Sequence, residues 1–481
     1  MKTHAHRLLA GLNILALVLA ACAPAAAPTA APAATEAAPT EAAIEPTAAP
    51  TADPNKVQIR WFVGLGTGTD PAQVEVENQV VADFNASHPN IELVIEVVDY
   101  AAARDTLATE IASGNGPDIV GPVGVSGAEA FHGQWLDLTD LIAKTGYDLS
   151  QFDEGAVNFY KEPDGQYGLP FAIFPSVLFY QRDHFDEAGL AYPPHKVGEK
   201  YVWPDGTESD WDMATLRELA MKLTVDANGK DATDPAFDAT QIEQLGYHPQ
   251  WQDLRAIGSY FGAGSLLAAD GKTAVVPSQW VDAWKWTYSG MWNDHFQATA
   301  AIAATDEFGQ DNIFNSGRAS MVITHLWYTC CLTDSGTNWD VAVVPSYNGK
   351  TTANFNADTF RILETTKHPD EAFEVLTYLL GDASLDLLKT YAGMPARTAD
   401  QPAFFEEQAK AFPQDVDWPV FVDMIAYADN PSFEGYMPNY NEAFDFTNTF
   451  LSKLKATEGL DMDAEIAQFT KDLQAIFDKA K

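Results

Sequence analysis

The sequence predicts an α/β fold in which parallel strands are joined by crossover helices. Residues 91–98 are rich in β-branched side chains, as expected of a strand. Leu107 and Ile111 lie four apart on one apolar helical face, and the glycines of residues 113–116 end that helix. Residues 118–120 then begin a second apolar run. Strand, helix and strand within about 30 residues are typical of a parallel βαβ crossover.

A strand and a helix are also predicted just before this crossover. Residues 57–63 read as a strand, and a glycine-containing loop follows at 64–69. Asp70 is a candidate helix N-cap with proline at the first helical position. Ligands of open α/β sheets lie beyond the carboxyl ends of the strands. We therefore expect loops 64–69 and 121–126 to face a cleft.

Five short motifs accompany these elements: Phe84-Asn85, His88-Pro89-Asn90-Ile91, Ala112-Ser113-Gly114, Gly116-Pro117-Asp118-Ile119 and Leu136-Asp137-Leu138-Thr139. Together they resemble the first lobe of family 1 of the bacterial extracellular solute-binding proteins. That family includes maltose- and oligosaccharide-binding proteins of ABC importers. The resemblance extends over most of residues 56–455. It implies a two-lobe, periplasmic-binding-protein-like fold of type II, with mostly parallel sheets flanked by helices and a ligand cleft at the hinge.

The same resemblance divides the chain between the lobes. Residues 55–170 and 339–397 are expected to form lobe one, and residues 171–338 and 398–481 lobe two. The strand-like run that ends at Tyr180 resembles the family's first hinge crossing, where the chain enters lobe two. Residues 192–208 are longer than the family needs and are predicted to form a surface hairpin around Pro204-Asp205-Gly206. A helix with Leu216, Leu219 and Leu223 facing inward is expected next.

The N-terminus is predicted to be a processing signal and a linker. A basic start and a short apolar run end at Leu19-Ala20-Ala21-Cys22, the form of a bacterial lipoprotein signal over residues 1–22. Cys22 is then the lipidation site. Residues 23–54 are almost wholly Ala, Pro, Thr and Glu, which predicts a disordered linker. We expect an extracytoplasmic protein held by its lipid at the outer face of the cytoplasmic membrane.

The charge balance restricts the possible partners. The chain has 481 residues, with 68 acidic against 28 basic side chains and a net charge of −40. Such a chain does not suit nucleic acid or an anionic membrane surface. The acidity indicates either a solvated acidic surface or a site for a cationic ligand such as a polyamine.

A second family-like segment, residues 317–327, places an aromatic residue just beyond a strand. In sugar-binding members that residue stacks on a pyranose ring, so the resemblance makes Trp327 the first candidate for sugar stacking. Trp251 is the second candidate, and Phe444 or Tyr440 the third. Each could instead be a core residue. The polar candidates near the cleft are Asp70, Thr67, Ser126, Asn356, Arg397 and His325. Ser126 could instead cap a helix, and Arg397 could be structural.

Once Cys22 is acylated, Cys330 and Cys331 remain, adjacent and three residues after Trp327. In an oxidising compartment they could form a vicinal disulfide beside the ligand, and the alternative is two buried thiols.

Catalysis has little support in the sequence. No Gly-x-Ser-x-Gly elbow, HExxH motif or spaced Cys/His ligand set is present, and no cofactor or metal is expected. Residues 226–231 lack the oxygen and glycine positions of an EF-hand and read as an Asn-Gly turn. A secreted glycoside hydrolase remains a remote alternative, because abundant carboxylates pair by chance.

The predicted function is therefore capture of a mono- or oligosaccharide by a monomer. Closure of the hinge then delivers the sugar to the permease subunits of an ABC importer. The alternative ligand is a polyamine or a glycerophosphodiester. The identity, length and linkage of the sugar do not follow from the sequence.

Overall fold

The computed structural model describes residues 56–66, 68–162, 165–332, 337–391, 393–429 and 434–480. The predicted signal peptide, Cys22, the linker and Thr67 lie outside these residues. The strands are β1 Val57–Val63, β2 Ile91–Val97, β3 Ile119–Val123, β4 Lys161–Glu162, β5 Gly165–Gln166, β6 Leu169–Gln181, β7 Lys200–Val202, β8 Glu208–Asp210, β9 Val225–Asp226, β10 Ile242–Gln244, β11 Met321–His325, β12 Trp339–Ala342, β13 Phe355–Ile362 and β14 Met394–Pro395.

Helices alternate with these strands and cover the sheet. They are α1 Pro71–Ser87, α2 Tyr100–Ala112, α3 Val125–Ala130, α4 Thr139–Thr145, α5 Glu154–Asn158, α6 Arg182–Ala188, α7 Met213–Lys222, α8 Leu254–Ser259, α9 Ser278–Trp292, α10 Ala300–Ala303, α11 Pro369–Leu380, α12 Ser384–Tyr391, α13 Gln401–Ala411, α14 Pro419–Ile425, α15 Tyr440–Ala456 and α16 Met462–Phe477. In the described part of the chain, none is both long and apolar enough to cross a membrane.

The predicted parallel crossover is confirmed. β1 pairs in parallel with β2 along its whole length, and with β3 on its other side. The intervening helices cover this sheet with apolar side chains: Val80 and Phe84 of α1 and Leu107 of α2 are buried. Asp70 precedes α1 with Pro71 at its start, as the sequence predicts.

One long strand, β6, runs through both lobes. All 13 of its residues are buried. Its first part pairs antiparallel with β13, up to Pro175 opposite Phe355, and its second part pairs antiparallel with β11, from Ser176 opposite His325. We call the part built on β1–β3, β13, α1–α3, α11 and α12 the first lobe. The part built on β11, β12, α7–α10, α15 and α16 is the second lobe.

The strand pairing differs in detail from the mostly parallel sheets that the resemblance implies. β2, β1 and β3 are parallel, but β13 is antiparallel to β3, and both β11 and β12 run antiparallel to β6. Since β12 pairs with the second-lobe part of β6, the chain returns to the first lobe between Ser346 and Phe355 rather than at Trp339. The other predicted lobe boundaries stay predictions.

Three local predictions agree with the structure. β7 and β8 form the expected surface hairpin. Leu216, Leu219 and Leu223 are buried on the inward side of α7. The segment after Asp226 is a turn, because the Asp226 carboxylate accepts hydrogen bonds from the backbone N–H groups of Asn228 and Lys230 at 2.8 and 2.9 Å. Within the described residues, no group of three or more potential metal-binding side chains is present.

Candidate ligand-binding site

A cavity of about 720 Å³ lies between the two lobes. The first lobe supplies the loops after β1 and β3 and one face of β13. The second lobe supplies residues 251–256, the end of β11 with the 3₁₀ turn Leu326–Cys331, and the start of α15. The loops follow the carboxyl ends of β1 and β3, as parallel-strand geometry predicts. The volume falls within the range of ordinary small-molecule sites.

The cavity brings together candidates that lie far apart in the sequence. Its lining includes Asp70, Ser126, Trp251, His325, Trp327, Cys330, Asn356, Tyr440 and Phe444. The alternative role of Ser126 as a helix cap is wrong, because Gly124 occupies the cap position of α3. Thr67 lies outside the described residues.

Arg397 is not among the lining residues and is the misplaced candidate. It follows β14 and pairs through its backbone with Phe152. Its guanidinium faces Asp400, with 3.7 Å between Nε and Oδ2. The structural role that the sequence analysis left open for Arg397 stays a prediction.

Aromatic rings form one wall of the cavity. The Trp251 and Trp327 rings are nearly parallel, with 6.0 Å between centroids and 9° between planes. His325 lies against the other side of this stack, 5.6 Å from Trp327. Trp251 is 40% exposed and has a φ of +54°. A left-handed backbone is uncommon for a bulky residue and occurs preferentially at functional sites.

His325 contributes a neutral ring to this wall. The ring is buried, and burial lowers its pKa to about 4, while its hydrogen bond with Asn354 acts in the opposite direction. Its Nε2 lies 2.7 Å from Asn354 Oδ1, so the neutral ring can donate that bond. At pH 7 the His325 ring is therefore neutral. It contributes an aromatic surface and the hydrogen bond to Asn354, but no positive charge.

Strand β13 and the residue before it line the cavity with alternate side chains. Asn354, Asn356 and Asp358 all face the cavity, as the two-residue period of a strand requires. The hydroxyl of Tyr391 donates to Asp358 Oδ2. Burial raises the pKa of Asp358 to about 6. Asn356 was predicted from the sequence and Asp358 was not, although a spacing of two along a strand points from one to the other.

The positive charge in the cavity is already paired. Arg255 is the one lysine or arginine among the described lining residues. Its Nη1 lies 2.8 Å from Asp429 Oδ2, and its Nε lies 3.3 Å from Glu434 Oε2. Burial opposes its charge, but these carboxylates raise the pKa of Arg255 above its ordinary value. Among the described residues, five carboxyl groups line the cavity: Asp70, Glu129, Asp253, Asp358 and Glu434.

Cys330 and Cys331 end the 3₁₀ turn that carries Trp327, and Cys330 lines the cavity. Both are thiols in the structure, with 2.9 Å between their sulfur atoms. Burial raises the pKa of Cys330 to about 12, with the neighbouring Cys331 adding to the effect. The vicinal disulfide stays a prediction.

A groove of about 1060 Å³ lies elsewhere, on the surface of the second lobe around the β7–β8 hairpin. Its charged groups are largely satisfied by one another or by the backbone. Arg318 pairs with Glu243 and Glu307, and Lys222 lies over the Trp203 ring. The cavity between the lobes is the better candidate because it combines stacked aromatic rings with polar groups from both lobes.

Comparison with known proteins agrees with this architecture. A putative binding protein of Brucella suis is 23% identical over 419 residues, which cover 83% of this chain and 89% of that protein. An sn-glycerol-3-phosphate-binding periplasmic protein of Brucella abortus is 24% identical over 312 residues, 61% of this chain and 63% of that protein. The solved structure of a sugar-binding protein from Xanthomonas citri matches with a TM-score of 0.65 at 15% identity, over 88% of this chain and 98% of that one.

The family model described as bacterial extracellular solute-binding protein matches residues 68–385. That match spans most of the first lobe apart from β1, the whole of β6 and most of the second lobe's share of the cavity. The fold also agrees with the two-lobe architecture of the Xanthomonas protein. The chain therefore belongs to the bacterial extracellular solute-binding protein family.

Proposed function

We propose that the protein captures a carbohydrate outside the cell and delivers it to the permease of an ABC importer. The observation that carries the proposal is the cavity between the lobes, where the Trp251–Trp327 stack faces carboxylate and amide groups. Sugars offer apolar C–H faces that stack on aromatic rings, and hydroxyl groups that donate to carboxylates and exchange hydrogen bonds with amides. Asn356 and Asp358 are the polar groups we assign to such hydroxyls.

The mechanism we infer is closure around the ligand without chemistry. Contacts from both lobes stabilise the closed form, so that the ligand shifts the population toward it. Closed protein then docks on the permease as a monomer, tethered through Cys22. The structurally similar protein from Xanthomonas citri is a sugar-binding protein, which supports a carbohydrate as the ligand.

A cationic solute such as a polyamine is the second candidate. Five carboxyl groups and several aromatic rings line the cavity, and the described lining has no uncommitted cation. The same observation disfavours a glycerophosphodiester. An anionic ligand needs arginine or lysine in contact with its phosphate, and Arg255 is already shared between Asp429 and Glu434.

Thermal unfolding of the full chain against a ligand panel tests the proposal. The panel consists of mono- and oligosaccharides, spermidine, sn-glycerol 3-phosphate and a glycerophosphodiester. A ligand at a hundred times its Kd adds about 2.7 kcal/mol to stability, a shift of a few degrees. A shift with a sugar supports the proposal, and a shift with spermidine alone replaces it with the second candidate. Hydrolysis of a chromogenic glycoside would contradict the proposal that the protein binds its ligand without catalysing a reaction.

A further inference from the structure

Glu129 of α3 forms hydrogen bonds that cross from the first lobe to the second. Its Oε1 accepts from the backbone N–H of Glu434 at 2.9 Å, and its Oε2 accepts from the hydroxyl of Tyr440 at the start of α15. α3 itself packs in the first lobe, where Ala128 shares a core cluster with Phe62. The backbone of Glu129 therefore belongs to the first lobe, while its carboxylate accepts hydrogen bonds from two described residues of the second.

The contact is closely packed. Glu129 is 8% exposed. A Cβ added to Gly435 would lie 3.1 Å from Cα, Cβ and Cγ of Glu129. That distance is shorter than ordinary van der Waals contact, so a side chain at position 435 would require Glu129 to shift by a few tenths of an ångström. Glycine here allows the backbone of the second lobe to lie directly against the Glu129 side chain.

The other strongly buried carboxyl groups of the cavity do not cross between the lobes. Asp358 accepts from Tyr391, and both lie in the first lobe. Glu434 accepts from the Ser265 hydroxyl at 2.5 Å and the Leu266 N–H at 2.6 Å, within the second lobe. Among these three described carboxyl groups, Glu129 is thus the one whose hydrogen bonds form or break with lobe separation.

Several charged and titratable groups surround Glu129. They are Tyr440 on α15, Glu434 and Tyr436 on the segment before it, Arg255 on α8 and Arg361 on β13. Arg255 attracts a charged Glu129 but is bound to two other carboxylates, and the Glu434 carboxylate repels it. A neutral Glu129 avoids this buried charge and keeps both bonds: its carbonyl oxygen accepts from Glu434 N–H, and its O–H donates to the Tyr440 oxygen.

We propose that Glu129, which bridges the lobes through its bonds to Glu434 and Tyr440, is a proton-sensitive latch: closure buries its carboxyl group, so the closed form is favoured most when that group is neutral. The proposal concerns closure of the protein itself and does not depend on which ligand it binds. Burial raises the pKa of Glu129 in the latched form to about 7, from an ordinary value of 4.5 for an exposed side chain.

The direction of the pH effect follows from linkage. Because the latched form binds the proton more tightly than a form with separated lobes, closure is fully favoured below the ordinary pKa of 4.5. The advantage is lost as the pH rises through about 7. The difference of 7 − 4.5 = 2.5 pKa units corresponds to about a 300-fold change in the closing equilibrium.

Hydrogen exchange at the Glu434 amide, without ligand, tests the latch in the full chain. We expect its protection, corrected for the intrinsic exchange rate, to fall by up to about 75-fold between pH 5 and pH 9, the part of the full change that this pH range covers. The Tyr247 amide, which donates to Phe296 O within the second lobe, is the control and should not follow this profile.

Three variants separate the latch from a structural role. Glu129→Gln mimics the neutral carboxyl group, so the Glu434 amide should stay protected at both pH values. Glu129→Ala should leave it unprotected at both. Tyr440→Phe removes one of the two bonds and should lower protection roughly five-fold. Protection that does not change with pH in the wild type, or that is lost in Glu129→Gln while the Tyr247 amide stays protected, would overturn the proposal.

Discussion

Replacement of Trp251 by alanine removes the aromatic face most available to a ligand. An aromatic side chain covers roughly 150–250 Å² when fully buried. Since Trp251 is 40% exposed, roughly 100 Å² of it remains for a ligand to cover. A sugar ring that covers half of this area gains about 1.3 kcal/mol at 25 cal/mol per Å². We therefore expect the Trp251→Ala variant to bind its sugar about ten-fold more weakly.

The assay is isothermal titration calorimetry well below the unfolding temperature, so that lost packing against Trp327 does not unfold the protein. Trp203→Ala is the matched control, because Trp203 lies on the β7–β8 hairpin beside the other groove. Its Kd should equal that of the wild type. An unchanged Kd in Trp251→Ala, or equal weakening in Trp203→Ala, would refute the assignment of this wall as the stacking surface.

Three other predictions concern stability and the cysteine pair. Because burial raises the pKa of Asp358 from 3.8 to about 6, its charge costs stability above that range, and Asp358→Asn should add up to about 3 kcal/mol at pH 8 but little at pH 4. Denaturant unfolding at both pH values measures this, and an equal effect at both would contradict it. A Cβ at Gly246 would lie 1.8 Å from Ala220 O, so Gly246→Ala should cost about 2–3 kcal/mol and lower Tm by several degrees in a thermal scan. An unchanged Tm would contradict this prediction, because it would mean that the backbone at Gly246 shifts without a measurable cost in stability. If Cys330 and Cys331 form the predicted vicinal disulfide, intact mass before and after reduction will differ by two hydrogens, whereas two alkylatable thiols in fresh protein would exclude it.

The fold of the first lobe could be predicted because its signals are local. The strand of residues 57–63, the crossover to residues 118–120 and the glycine-terminated helix each follow from periodicity over a few turns. The direction of strand pairing in the second lobe could not be predicted from the sequence. β11 and β12 are short buried strands, and nothing in their sequence states that both run antiparallel to β6. That choice depends on contacts between residues up to 160 positions apart, such as Tyr180 and Asp340.

The aromatic part of the site could also be predicted, since tryptophans beyond strand ends are few. The carboxyl groups could not, because 68 acidic residues give no single one a distinctive signal. Glu129 sits among small residues in a six-residue helix, and only tertiary packing places it against Tyr440. Arg397 was misplaced for the same reason: the path of the chain after β14 carries it toward Phe152 and away from the cavity.

Titration calorimetry of the full chain with the oligosaccharide that gives the largest thermal shift tests the central claim most directly. Binding of a sugar between two lobes predicts one site per chain and a negative heat-capacity change from burial of apolar surface. It also predicts that spermidine and sn-glycerol 3-phosphate give no saturable heat. If no sugar gives a saturable isotherm and spermidine binds with one site per chain, the cavity serves a cation and the carbohydrate assignment is wrong.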